Sequence, residues 1–175
     1  MKRILILTLI VVFSCVGISS AGLYVGAKSG MMMLDVTDVS DIIPIGVLFG
    51  YSIMPQIGVE GEFNYGIAGG DWEPELYPGI SADYNIYTVA GYGAYRYIIG
   101  GVAYVKAKVG VIYETVTAEA KIGDIIVMDL SASDTGLSFG GGVGFKFSEM
   151  IMAEAEFTLI EKEVNFISVG LNFNF

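Results

Sequence analysis

The chain closes on Val169-Gly170-Leu171-Asn172-Phe173-Asn174-Phe175. Val169, Leu171, Phe173 and Phe175 are large and apolar, whereas Gly170, Asn172 and Asn174 between them are small or polar. Period two places the first set on one face of a strand and the second on the other. An apolar chain end normally frays in water, so a strand finishing on a bare phenylalanine carboxylate calls for apolar surroundings. An ordinary sheet edge that happens to end in Phe is the plain alternative, and the rest of the chain has to separate the two.

Composition sharpens the question. Of 175 residues, 54% are hydrophobic, and mean hydropathy is +0.64, high for a water-soluble domain. Yet past residue 21 no long apolar run occurs, because Gly, Ser, Asn, Glu or Lys breaks the stretches at alternate positions. Hydrophobicity without a helical span is accommodated when apolar residues face lipid from alternate strand positions. The sheet must then close, so that no backbone group is left unpaired in hydrocarbon.

The N-terminus points the same way. Met1-Lys2-Arg3 is a basic tip, Ile4 to Phe13 is apolar except for Thr8, and Ser19-Ser20-Ala21 offers small residues for a cut after Ala21. This is the layout of a secretory signal peptide over residues 1–21. The run is too short for a spanning helix of about 20 apolar residues. Val12-Phe13-Ser14-Cys15 offers a second route, lipidation at Cys15, although Phe13 fits it poorly. A chain cut after Ala21 keeps no cysteine, hence no disulfide or thiol chemistry. It holds seven Lys and Arg against 19 Asp and Glu, a net charge of −12. Nucleic acid, which needs a basic footprint, is excluded as a partner.

Residues 22–175 divide into eight alternating strands: 22–33, 44–53, 57–68, 85–97, 102–115, 135–147, 150–160 and 164–175. Each covers the ~9–11 residues of a tilted spanning strand. The fold expected is all-β, an eight-stranded antiparallel up-and-down transmembrane β-barrel. Links after the second, fourth and sixth strands are tight. Those after the first, third and fifth are long and acidic, the asymmetry of short periplasmic turns and long outer loops, which the short link after the seventh strand breaks. The Thr, Val and Ile residues of 116–134 fit an extension of the fifth and sixth strands beyond the membrane, turning near Gly123-Asp124 and offering exposed edges to a partner; the alternative is an extra hairpin and a ten-stranded count. Ile45, Val47, Phe49, Phe63, Val89, Val105 and Phe139 take the lipid face, and Tyr51, Tyr65, Tyr95, Tyr97, Tyr113, Phe147 and Phe175 take the lipid–water boundary. The opposite parity carries five cations, Lys28, Arg96, Lys106, Lys108 and Lys146, and five anions, Glu60, Glu62, Glu114, Glu154 and Glu156. Eight strands enclose only enough room for their own side chains. An unpaired buried charge is very costly, so these ten are expected to pair into an interior network. The alternative is a narrow water path that they line.

Gly22-Leu-Tyr-Val-Gly-Ala-Lys-Ser-Gly30 resembles the first strand of OmpA-type barrels, and Gly58-Val-Glu-Gly-Glu-Phe-Asn-Tyr65 their third. Without a following periplasmic domain the chain is closer to the stand-alone OmpX and Opa-like group. The resemblance implies a monomer in outer-membrane lipid. It also implies that Val169, Leu171, Phe173 and Phe175 form a C-terminal signal read by the barrel-assembly machinery, and that inward Lys, Arg and Glu form an ion-pair network.

Three function classes follow. An enzyme is disfavoured, because the chain has no histidine and so lacks Ser-His and Asp-His chemistry and histidine metal ligation. No cofactor, metal or catalytic residue is expected. A small porin-like channel is the runner-up. The leading expectation is a structural or surface-interaction role, adhesion or membrane integrity, meeting extracellular macromolecules through the loops. The loop acids Asp35, Asp38, Asp41, Asp71, Glu73, Glu75 and Asp83 have no calcium-loop spacing and read as solvated surface. A soluble lipocalin-like barrel with its oily face inward remains a further alternative.

Overall fold

The computed structural model describes residues 22–34, 40–68, 70–72, 80–122, 125–160 and 164–175. The expected signal segment with Cys15 lies outside them, as do the loop acids Asp35, Asp38, Glu73 and Glu75. The strands are β1 Leu23–Leu34, β2 Ile43–Ser52, β3 Ile57–Ala68, β4 Asp71–Trp72, β5 Ile80–Ile99, β6 Ala103–Ile122, β7 Ile125–Lys146, β8 Ile151–Leu159 and β9 Val164–Asn174. Eight of them form an up-and-down barrel, and β4 is a two-residue ribbon on β5, pairing Asp71 with Asp83.

Closure comes from the first and last strands. β9 returns antiparallel to β1 from Tyr24↔Asn174 to Leu34↔Val164, and the Phe175 N–H donates to the Leu23 carbonyl at 3.0 Å. β3 pairs directly with β5 from Ile57↔Tyr95 to Tyr65↔Tyr87. The spanning wall therefore has no edge, which is what hydrocarbon requires.

The alternation of the sequence becomes the alternation of the wall. On β2, Ile45, Val47 and Phe49 are 52%, 40% and 50% exposed while Leu48 is 2% exposed, and the same parity runs round the barrel. An apolar outside around a polar-containing inside is a membrane barrel, and it overturns the lipocalin-like alternative, whose oily face would point inward. The boundary aromatics Tyr51, Tyr65, Tyr95, Tyr97, Tyr113, Phe147 and Phe175 are all exposed. The turn after β5 is tight because Gly100 and Gly101 take φ of 60° and 79°, which glycine adopts without strain.

Residues 116–134 do not form an extra hairpin. Residues 116–122 prolong β6, 125–134 begin β7, and the two pair from Ile122↔Ile125 onward. The count is eight, and the fifth and sixth strands of the sequence reading extend through this region as expected, the turn near Gly123-Asp124 lying outside the described residues. β5 begins at Ile80, inside the stretch read as loop to Tyr84. β5, β6 and β7 thus run 20, 20 and 22 residues and project beyond the barrel wall, whereas β8 has 9. The Thr, Val and Ile content of these stretches has high strand propensity, and pairing to a neighbour already in register continues it past the lipid.

Candidate functional site

The barrel interior is where the chain concentrates its chemistry. Alternation turns one or two charges inward from each of five strands: Lys28 from β1, Glu60 and Glu62 from β3, Arg96 from β5, Lys106 and Lys108 from β6, Glu154 and Glu156 from β8. All eight are at most 7% exposed. The strands between them supply small residues. A Cβ on Gly140 of β7 would sit 2.7 Å from Lys108 Cε, and one on Gly144 would sit 2.1 Å from Tyr104 Cζ, so the missing side chains make room for long neighbours.

These eight residues form one balanced network of four cations and four carboxylates. Lys28 Nζ lies 2.5 Å from Glu62 and 3.7 Å from Glu156. Lys108 bridges the same two acids at 2.5 and 3.0 Å. Lys106 reaches Glu60 at 2.8 Å, Glu154 at 3.1 Å and Glu156 at 2.5 Å. Arg96 Nη2 donates to Glu60 at 2.5 Å, while its Nε lies 3.6 Å from Glu154. Each cation touches at least two acids and each acid at least two cations. Tyrosines extend the lattice: Tyr24 donates to Glu60 at 2.7 Å and accepts from Arg96 at 2.7 Å, and Tyr104 donates to Glu154. The Arg96 guanidinium stacks 4.7 Å above Tyr24, and Lys108 Nζ lies 4.4 Å from the Tyr92 ring centre.

Two of the ten charges expected in the network stand apart from it. Glu114 is buried but sits on the far side of Ile112, toward the projecting sheet. Lys146 lies at the tight-turn mouth, half-buried, and makes no ion pair among the described residues. Strand alternation gives a side chain's face; height along the barrel, which decides whether two inward groups meet, depends on register.

The other half of the interior is apolar. Met32, Ile42, Ile86, Ile112, Ile160, Val164 and Phe166 form one buried cluster at the end where β5–β7 project. These residues share the inward parity of Lys28, Thr88, Lys108, Glu156 and Ser168, so the signal was present in the alternation. It was masked because an apolar residue among inward positions looks the same as one on a lipid face.

The carboxylates of Glu60, Glu62 and Glu156 converge within 4.8 Å of one another, a spacing a metal ion could use. Three ammonium groups already occupy their acceptor directions, so the charge a cation would supply is present in Lys28, Lys106 and Lys108. Beside Lys28, Glu154 and Glu156 the free space is about 10 Å³, roughly one water. The arrangement can seal and brace the barrel.

By sequence, residues 7–175 match the outer membrane protein beta-barrel domain. The chain belongs to that family. It is an outer-membrane protein. The N-terminal β-barrel domain of Pseudomonas aeruginosa OprF superposes with a TM-score of 0.60 at 14% identity, covering 89% of this chain and all of that one. A major outer membrane protein from Thermus thermophilus gives 0.61 at 13%, with 89% and 100% covered. Ail, the attachment invasion locus protein of Yersinia pestis, gives 0.56 at 17%, with 89% and 97% covered. At these identities the likeness is one of fold. No curated protein matches the chain by sequence.

Proposed function

We infer that the protein is a non-enzymatic, sealed barrel that works at the cell surface through its projecting sheet. One observation carries this reading. β7 pairs with β8 only from Phe139 to Lys146, so its first half continues beyond β8 with β6 on one side and, among the described residues, no strand on the other. An open edge presents a row of backbone donors and acceptors that an extended segment of another protein can complete. Leu130 and Leu137 along it are 58% and 65% exposed and offer apolar footholds. Short turns belong on the periplasmic side, which orients this sheet outward. Ail was crystallised with the heparin analogue sucrose octasulfate. A chain with net charge −10 is ill suited to a polyanion, and an extended protein segment is the better fit here.

The test is cell attachment. Cells exporting the chain are compared with cells exporting a version in which Thr115 joins Ser133, its cross-strand partner, through a short turn. Attachment to protein-coated surfaces is expected to fall to background while heat-modifiable gel mobility persists; undiminished attachment would overturn the reading.

Nothing favours the channel alternative: the charge network and the apolar cluster occupy successive levels of the lumen, and a planar bilayer is expected to stay silent. The outward face of Val169, Leu171, Phe173 and Phe175, between 46% and 64% exposed, is available to the assembly machinery before insertion and to lipid after it.

A further inference from the structure

At the tight-turn end the lumen opens into a cup of about 240 Å³, many times the ~30 Å³ share of a liquid water. Arg96, Lys146, Tyr24, Tyr104, Ser52 and Asn174 line it, and among the described residues no carboxylate side chain does. Arg96 is only 7% exposed, and its Nε is a buried donor with no hydrogen-bond partner, because Glu60 and Tyr24 engage Nη2 and Glu154 stays at 3.6 Å. Glu60 and Glu154 balance the charge of Arg96, but a buried donor without a hydrogen bond is costly. Lys146 is the cation that the balanced network leaves over.

We propose that this cup is a binding site for a small oxyanion of the phosphate or carboxylate kind, held between Arg96 and Lys146. Water can supply an acceptor but not a charge to set against Lys146, whereas an oxyanion supplies both. Guanidinium is the donor best matched to a planar or tetrahedral oxyanion, and an ammonium adds a point charge beside it. The hydroxyl of Ser52 and the amide of Asn174 supply further donors at the rim. The network is neutral, so it does not repel the ligand, and the cup faces away from the projecting sheet, so its occupant comes from the turn-side compartment.

In the chain cut after Ala21 Arg96 is the only arginine, so the Arg96 Nε–Hε resonance of ¹⁵N-labelled protein in micelles is assigned directly. Sodium phosphate and sodium acetate are titrated in separate arms against sodium chloride at constant ionic strength. A saturable displacement of that resonance beyond the chloride control is expected, with a midpoint raised about tenfold or more in Lys146→Met. The arm that saturates at lower concentration identifies a tetrahedral or a planar ligand. No displacement beyond chloride, or the same midpoint in Lys146→Met with unboiled gel mobility intact, would overturn the proposal.

Discussion

Replacing Lys106 by Met leaves the barrel's shape nearly unchanged and removes the cation with the most partners. Lys106 Nζ lies 2.8, 3.1 and 2.5 Å from Glu60, Glu154 and Glu156, and the side chain is 1% exposed. The network is balanced at four against four, so the variant carries one uncompensated negative charge in an interior with about one water's worth of free space beside it. Removing one partner of a buried pair costs about 3–5 kcal/mol, against a total stability of roughly 5–15 kcal/mol for a typical domain. Denaturant unfolding of the refolded protein in vesicles, followed by circular dichroism, measures the loss. Adding Glu154→Gln to Lys106→Met restores neutrality and is expected to recover more than half of it. A loss below about 1 kcal/mol in the single variant, the worth of an exposed pair, would mean that water screens these charges. The sealed interior, and the silence expected in a bilayer, would fall with it.

Other perturbations separate the inside from the outside. Gly144→Ala drives a Cβ to within 2.1 Å of the Tyr104 ring and should destabilise by about 1–3 kcal/mol. Gly91→Ala, where a Cβ meets nothing within 4 Å, should be neutral or stabilising by up to about 1 kcal/mol in the same unfolding assay. Phe166→Ala leaves a cavity in the apolar half of the lumen, where Phe166 is 1% exposed, and should cost about 3–5 kcal/mol. Val109→Arg puts a charge on the lipid face, at a residue 51% exposed, and should cost about 2–4 kcal/mol, whereas Val109→Ile should cost almost nothing.

What could be read from the sequence was whatever depends on parity alone. A period of two assigns Lys28, Glu60, Lys106 and Phe49 to their faces without any knowledge of register, and an even number of strand-length segments suits the closed topology that the β1–β9 pairing completes. Register was out of reach, because it is set by the pairing of distant segments such as Tyr24 with Asn174. That is why Glu114 and Lys146 could be assigned inward while their distance from the network could not be seen. The projecting sheet was legible in part: the Thr, Val and Ile residues of 116–134 point to a hairpin prolonged past the membrane, which is what β6 and β7 form, whereas the start of β5 at Ile80 was not seen. Asp83 gives the stretch 80–84 a loop-like polarity, and only continued pairing to β6 makes it strand.

The separation of polar and apolar layers inside the barrel follows from what lipid cannot do. On the outer wall a strand sliding by two residues exchanges Val for Phe or Ile against hydrocarbon, and the free energy barely changes. Register must therefore be specified from within. A two-residue slip of β6 would move Lys106 to the level of Lys108 and break its contacts with Glu60 and Glu154, leaving buried carboxylates unmatched at a cost of several kcal/mol. The same slip in the apolar half would exchange one aliphatic contact for another at far smaller cost. The charges draw on five strands, β1, β3, β5, β6 and β8, with β2, β7 and β9 held in place between neighbours that carry them. On this argument the network acts chiefly to select one pairing among near-equivalent ones. Its signature is that Lys106→Met, with its partner Glu154 intact, should produce a heterogeneous barrel, detectable as split amide resonances on β6, while Phe166→Ala should remain a single, less stable species.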